Sequence, residues 1–533
     1  MPKNDNSIYV YLIIIVIILI IFSALLYNIW HFSVDDAFIT FRYALNLAEG
    51  HGIVWNIGEF PTEGYSNFLW LIIVSLLIKI NLDPVLTTKF LGILSLSGII
   101  FLYWKICNDV LENVKKYLAF TVGFIFLLVN PATAIHTVSG LETMLYALTM
   151  LSVSYFCYKY ITTEKKKYIW IFSIIALISS LLRPESILFS FALLFIIYLF
   201  APNKEHSFIK KFKSFFPFII AYILPLSLYI IFRLVYFQDL LPLPFYVKTL
   251  SNGSITDGIY YLSEAVRYLA PFLIVIIITI MAKIEQLYAN TKNEDFKLKI
   301  LLITIFTVVF SSNILYFFSS LYMNFAQRFY YPSFVLIYLL TGISIVILIK
   351  EKNYTINKKK FKRYIKVSGF VIVFLILLSN ISFSQDYIYL HQCSQRFPVS
   401  YIAIGNELEE FSSENLTFAS IDAGSMPYLS RWNHVDMVGL NDRFISKNGV
   451  ATLEYVEKKN PQLIIFISTD GINPGNVSRQ NTFIIYAEKK GYIKLPAIRY
   501  KDRYYLLPYI DPKIKNFEDI SQALKKVSQD SLN

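Results

Sequence analysis

The chain has 533 residues, 56% of them hydrophobic and only 16% charged, with a net charge of +12 and a mean hydropathy of +0.52. A water-solvated protein of that composition would precipitate, so the chain is read as one solvated by lipid. Three cysteines exclude a disulfide framework, and the sequence holds no Gly-rich phosphate loop, zinc-type Cys/His spacing or Ser/His/Asp signature.

The first element is the uncharged run Ser7–Trp30, long enough to cross a bilayer core of about 30 Å as a helix. It exceeds a signal-peptide core and lacks a small-x-small cleavage site, so it is expected to be retained. Asp35 and Asp36 follow directly. Phe38, Phe41, Leu45 and Ala48 then recur at helical spacing, and Glu49-Gly-His-Gly52 supplies a stop. One aspartate suffices as an N-cap, so the second asks for another reason. Neighbouring anions at a low-dielectric boundary raise each other's pKa, which suits a proton acceptor.

Apolar runs continue at roughly 85–107, 118–131, 141–160, 168–182, 186–201, 214–236, 269–288, 298–321, 329–349 and 367–384, with a shorter one at 67–80. If 67–80 lies along the membrane, the basic clusters at 115–117, 164–168, 209–213, 292–299 and 350–366 all share one side, and the other side keeps only Arg42, Arg183, Lys248, Arg267 and Arg328. The positive-inside rule then places the clusters in the cytoplasm. The expectation is an α-helical polytopic protein of the plasma (inner) membrane with about eleven spans, a cytoplasmic N-terminus and an extracytoplasmic C-terminus. The excess charge is thereby read as topology and contact with anionic lipid, not nucleic acid. Residues 1–385 form the membrane domain. Residues 386–533 contain no spanning run; strand-like 416–422, 434–440, 461–468 and 503–510 alternate with helical 401–411, 451–459 and 517–527, as in a small α/β domain.

With that topology, five polar motifs from distant parts of the chain fall on the outer face. They are the doublet Asp35–Asp36, SGLE at 139–142, RPES at 183–186, YFQDLLPLPFYVK at 236–248 and NFAQRFYYP at 324–332. Each has a plainer explanation. Glu142 and Glu185 also suit caps or ion pairs, Arg183 and Arg233 suit snorkelling, Lys248 and Arg328 suit helix flanks, and His136 suits a structural role. Most Tyr and Phe residues suit lipid contact and packing, with Tyr65 and Tyr331 as candidates to line a sugar site. A few cations facing a carboxylate pair suit an anionic leaving group and a hydroxyl nucleophile.

The stretch 35–70, DDAFITFRYALNLAEGHGIVWNIGEFPTEGYSNFLW, resembles the first outer loop of GT-C membrane glycosyltransferases, in particular the terminal arabinofuranosyltransferase-like and protein mannosyltransferase-like branches. SGLETMLY (139–146), LLRPES (181–186), DLLPLPFYVK (239–248), QRFYYP (327–332) and IDAGSMPYLSRWNHVDMVGLND (421–442) extend the similarity over most of the chain. The resemblance implies a multi-helix membrane core, two juxtamembrane helices in the first outer loop (31–67 carrying the acidic motif) and an outer soluble domain. It also implies transfer of a sugar from a polyprenyl-phosphate donor to a hydroxyl of a glycan, lipid or protein acceptor, usually with inversion. Asp35 is the first choice of base with Asp36 orienting it. Arg183, Lys248 and Arg328 would neutralise the lipid phosphate, and Glu59, Glu63, Tyr65, His136, Glu142, Glu185 and Tyr331 would contact sugar or acceptor. Leu243 stands where relatives often carry Asn, and Ser186 where Gly is common. No cofactor is expected, and the sequence holds no dedicated metal cage, which leaves a divalent ion open.

Two other classes compete. A carrier of lipid-linked sugars needs ionisable groups at mid-membrane on broken helices, whereas these charges cluster at helix ends. A non-catalytic assembly subunit has no reason to gather carboxylates and cations on one face. On a cysteine-free background, a cysteine at position 36 is expected to react with an impermeant maleimide added outside intact cells, and one within 350–366 only after permeabilisation; the reverse pattern overturns the topology.

Overall fold

The structure is a computed structural model that describes residues 5–200, 215–250, 255–282, 294–319, 321, 323–350, 370, 374–375, 377–378 and 383–532. The 350–366 basic cluster and the 367–384 run lie almost wholly outside the described residues. The chain divides into two compact units. The first takes Met1–Trp30, Lys89–Tyr229 and Ser254–Ile388; the second takes His31–Thr88, Ile230–Gly253 and Tyr389–Asn533.

The first unit is helical. Its opening run is rich in β-branched residues that favour strands in water. In lipid every backbone group must be satisfied within the segment, and the run forms the helix Asp5–Asn28. Among the described residues of the whole chain, six helices are long and apolar enough to cross a bilayer: Tyr9–Asn28, Pro84–Val110, Phe216–Phe237, Ile255–Met281, Phe296–Phe318 and Tyr331–Ile349. A seventh span results if Val114–Val129 and Pro131–Val138, bent by 66°, are counted together. Three expected runs are short apolar helices, Phe68–Lys79, Lys167–Leu182 and Ser186–Phe200, and Thr143–Thr163 is long but rich in Thr, Ser and Tyr.

The helix Tyr331–Lys350 is the axis of this unit, with 89% of its apolar window buried. It packs on Val114–Val129, Thr143–Thr163 and Ile255–Ala282. Small residues permit the first approach. A Cβ at Gly342 would lie 2.6 Å from the Ala119 carbonyl oxygen and 2.9 Å from the Gly123 nitrogen. Polar groups add direction: Asn130 Nδ2 donates to Tyr338 Oη at 2.6 Å, and Tyr103 Oη donates to the Val335 carbonyl.

The second unit joins three separated stretches. The juxtamembrane helices Asp35–Ala48 and Phe68–Lys79 pack on each other. At 12 residues, the latter reaches only about 18 Å, short of a bilayer core. The C-terminal stretch forms a six-stranded sheet: β1 (Thr417–Ser420), β2 (Asn433–Asp436), β3 (Leu463–Ser468), β4 (Ile493–Lys494), β5 (Ile498–Lys501) and β6 (Tyr504–Ile510). The order is β2-β1-β3-β6-β4, with β5 also paired to β6; β1 runs parallel to β2 and β3, and β6 is antiparallel to β3. Strand β3 is an unbroken apolar run because both its faces are covered. Ala419, Val435, Ile464, Phe466, Phe483, Tyr486 and Leu507 form the core. The expected α/β character is therefore present, with β1, β3 and β6 inside the expected stretches and β2 overlapping the fourth; β4, β5 and the helix Asn481–Lys490 are additions.

Gly342→Ala is expected to destabilise by about 2 kcal/mol because the new methyl meets backbone, whereas Gly123→Ala, whose Cβ would rest 3.5 Å from the Tyr103 ring, is expected to be tolerated. Melting and size-exclusion profiles of the two variants in detergent check the contrast.

Candidate active site

In the second unit, the helix Asp35–Ala48 starts at the doublet itself, after Val34, and neither aspartate caps it. Carboxylates in the first turn still favour the helix dipole. The Asp35 carboxylate reaches across the chain instead: Oδ2 accepts from the Gly424 amide at 3.0 Å, and Oδ1 accepts from the Ser425 amide at 2.8 Å and from Ser425 Oγ at 2.7 Å. A Cβ at residue 424 would sit 2.4 Å from the Asp35 carboxylate and 2.1 Å from its carbonyl oxygen, so only glycine fits. Burial pushes the Asp35 carboxyl up to about 7, helped by the charges of Asp422 and Asp36 and opposed by the Ser425 donors. Asp422 accepts from Tyr401 Oη at 2.7 Å and from Tyr504 Oη at 2.9 Å and 3.1 Å. Its carboxyl is also raised by burial.

Arg42, two turns along the same helix, is buried with neutral acceptors only. Nε donates to the Trp55 carbonyl at 2.8 Å, Nη2 to Asn56 Oδ1 at 3.0 Å and to the Trp432 carbonyl at 2.8 Å, and Nη1 to the Pro427 carbonyl. Its guanidinium also lies 4.7 Å from the Trp55 ring centroid. Burial pulls its pKa down to about 9. Asn56 completes the seam: it accepts from the His434 amide at 2.9 Å and donates to the His434 carbonyl at 3.0 Å, as an added strand would. A second seam joins GEFPTEGY to GLND. Thr62 Oγ1 donates to the Asn441 carbonyl at 3.1 Å, and Gly64 is glycine because its Cβ would lie 1.9 Å from Asn441 Oδ1. Asp436 holds that loop, accepting the amides of Val438, Gly439 and Asn441 at 2.8, 3.2 and 2.9 Å.

Several expected contact residues carry structural duties. Both Glu63 oxygens accept from Arg233, at 2.7–3.0 Å, in a buried pair. Arg233 therefore does not snorkel, since burial without a counter-charge would cost several kcal/mol. Glu59 pairs with Lys459 at 2.5 Å and accepts from Asn56 at 3.0 Å, on the surface. Tyr65 is buried between the rings of Tyr43 and Phe237, at 5.1 and 6.4 Å. Asp239 of the DLLPLP segment is held by Arg443 and Lys447 at 2.5–2.7 Å. Lys248 belongs to the helix Leu243–Leu250, and its side chain lies outside the described residues.

In the first unit, three motifs come together. Arg183 Nε lies 2.7 Å from Glu142 Oε1, both buried, and Glu185 is buried in the next turn. The Phe329 ring sits between two guanidiniums, 5.3 Å from Arg183 and 5.1 Å from Arg328. His136 Nε2 is 2.9 Å from the Ala326 carbonyl oxygen, and its ring lies 4.5 Å from that of Tyr331, tilted by 43°. The Tyr331 hydroxyl bonds Thr133 at 2.6 Å. Ala326 and Gln327 both adopt positive φ, 45° and 55°, a strained turn ahead of Arg328. Among the described residues no three carboxylate, imidazole or thiol side chains are placed to hold a metal ion.

Sequence reasoning missed Asp422, Gly424, Ser425, Tyr401 and Tyr504 as neighbours of the doublet. The one signal was IDAGSMPYL itself, whose partner lies 389 positions away.

Residues 386–509 match a family described as a domain of unknown function, DUF8728. No curated protein matches. Among solved structures, ArnT from Cupriavidus metallidurans bound to undecaprenyl phosphate is similar at a TM-score of 0.56 and 12% identity, covering 95% of this chain and 98% of that one. The same protein in its apo state gives 0.55 and 10%, with the same coverage. The Archaeoglobus fulgidus oligosaccharyltransferase in its apo form gives 0.51 and 12%, covering 96% of this chain and 76% of that one. The chain is a multi-pass membrane protein with the GT-C-class fold.

The raised Asp35 carboxyl has a consequence for stability. The folded protein holds that proton up to about pH 7, whereas an unperturbed aspartate releases it at 3.8. The native state therefore binds more protons between these values, and the contribution is complete below the lower one and lost as pH rises through the upper, on the order of 4 kcal/mol in all. The melting-temperature difference between wild type and Asp35→Asn is expected to move against wild type as pH rises from about 5 to about 8; a difference independent of pH contradicts the assignment.

Proposed function

We propose that the protein is a glycosyltransferase that moves a sugar from a polyprenyl-phosphate donor to a hydroxyl of a glycan, lipid or protein acceptor on the extracytoplasmic face. The observation that carries this reading is the acidic doublet opening the first juxtamembrane helix of a GT-C fold. The undecaprenyl phosphate bound to the Cupriavidus ArnT structure supports a lipid-phosphate carrier.

In the proposed reaction a carboxylate of the doublet takes the acceptor's hydroxyl proton. The acceptor oxygen attacks the anomeric carbon, the bond from that carbon to the phosphate oxygen breaks, and the lipid phosphate leaves with both electrons. Attack opposite the leaving group inverts the centre. Both Asp35 oxygens are committed to Gly424 and Ser425. The proton is assigned to a carboxylate of the doublet, whose position the Gly424 and Ser425 donors to Asp35 fix. Phosphate charge is assigned to Arg183, Lys248 and Arg328. Arg183 is already paired with Glu142 and contributes through that pair. Glu59, Glu63, Tyr65, His136, Glu142, Glu185 and Tyr331 remain the candidates for sugar or acceptor contact.

With purified protein and a panel of polyprenyl-phosphate sugars, Asp36→Asn is expected to lower transfer by about 10²–10⁴-fold, the usual worth of a positioned base. Full transfer by Asp36→Asn and Asp35→Asn at normal abundance removes the carboxylate mechanism. Movement of donor across vesicles without its consumption establishes a carrier instead.

A further inference from the structure

Three carboxylates share one corner of the second unit, and only two of them come from the membrane-proximal loop. The third, Asp422, and the donors that fix Asp35 belong to a single five-residue turn, 421–425, of the C-terminal sheet domain. That turn is built with unusual care. Ser420 Oγ donates to the Asp422 carbonyl at 2.7 Å and contacts His434 Nε2 at 2.9 Å, tying the end of β1 to β2. Two tyrosines, from the Pro398–Ile402 turn and from β6, aim their hydroxyls at the Asp422 carboxylate. Gly424 lacks the Cβ that would evict Asp35.

We propose that the 421–425 turn is the positioning element of the transfer site: through Gly424 and Ser425 it fixes Asp35 and hence the doublet, and it holds the Asp422 carboxylate beside them. The inference rests on the glycosyltransferase reading and adds to it a working role for the C-terminal domain. Asp422, Gly424 and Ser425 are positioning residues here, acting on the acceptor only through the doublet.

The electrostatics agree with the geometry. The groups that face Asp35 are Asp36 from its own helix, Asp422 and Ser425 from the turn, Tyr401 from the 398–402 turn, Tyr500 from β5 and Tyr504 from β6. The cation that acts on this corner is Lys501, which favours ionised Asp422. Its ammonium lies against the rings of Tyr389, Tyr500 and Tyr504 at 4.8, 5.7 and 5.1 Å. Asp422 raises the Asp35 carboxyl and Ser425 lowers it. Removing each should therefore move Asp35 in opposite directions, which a general loss of folding would not do.

Two measurements test this, one of them independent of activity. In hydrogen exchange on the full chain in detergent, Asp35→Asn is expected to speed exchange at the 424 and 425 amides, by roughly tenfold or more for the loss of charge-assisted bonds, and to leave β3 unchanged. Equal exchange in both proteins overturns the proposal whatever the enzyme does. In transfer assays, Ser425→Ala is expected to lower kcat by roughly tenfold with donor KM little changed. The acid limb of its pH profile moves to higher pH, that of Asp422→Asn moves to lower pH, and Ser425→Thr restores the wild-type profile. If Asp36→Asn abolishes transfer while Ser425→Ala and Asp422→Asn keep the wild-type kcat and acid limb, the glycosyltransferase reading stands and this inference falls. If no lipid-phosphate sugar is consumed but the 424–425 exchange responds to Asp35→Asn, the turn still positions the doublet and the chemistry assigned to it is wrong.

Discussion

A carboxylate withdrawn from water needs donors, and Asp35 finds all of its principal ones in a different part of the sequence. Two backbone amides and one hydroxyl from residues 424–425 converge on it. The Asp35–Ala48 helix does not supply them: its N-cap is Val34, and no side-chain cap bond is made there. The rest of the second unit follows from this closure. The Arg42 and Asn56 bonds to the 427–434 segment, the tilted and edge-on ring contacts of Phe38 and Phe41 with Tyr428, and the fit of Gly64 to Asn441 belong to the same unit.

The seam uses two kinds of polar chemistry. Arg42 is held by four neutral acceptors and an aromatic face, which locates a charge without neutralising it. Glu63 and Arg233 form a hydrogen-bonded buried ion pair, and Glu142 and Arg183 a buried charge pair at 2.7 Å. Such pairs specify geometry more than they add stability, since desolvation offsets most of the attraction. Chemistry is better sought where charges of one sign are gathered, as at Asp35, Asp36 and Asp422, than where opposite charges have already met.

How much of this the sequence disclosed depends on the range of each interaction. Period and hydropathy marked the membrane helices, the helix after the doublet and the strands β1, β2, β3 and β6, because burial patterns are local. The short β4 and β5 were hidden, since two to four residues carry no period. The runs at 168–182 and 186–201 were placed to within a residue, as the helices Lys167–Leu182 and Ser186–Phe200. The doublet stood out as one aspartate more than a cap requires. Its real partners did not, because no pattern rule connects Asp35 to Ser425. Arg233 looked like a snorkelling end and Glu63 like a sugar contact because each partner was invisible to the other across 170 positions.

The separation of 389 positions between Asp35 and Gly424 also orders events during synthesis. The stretch bearing the two aspartates is made well before the residues that bond Asp35, which follow 389 positions later. Until then the Asp35 carboxylate of the nascent chain is without those donors. Long-range closure of this kind is slow to form because the intervening chain must first be placed. Asp35 therefore acquires its enclosed setting only after the C-terminal sheet has been made, so a truncated copy lacking that sheet carries the motif without its environment.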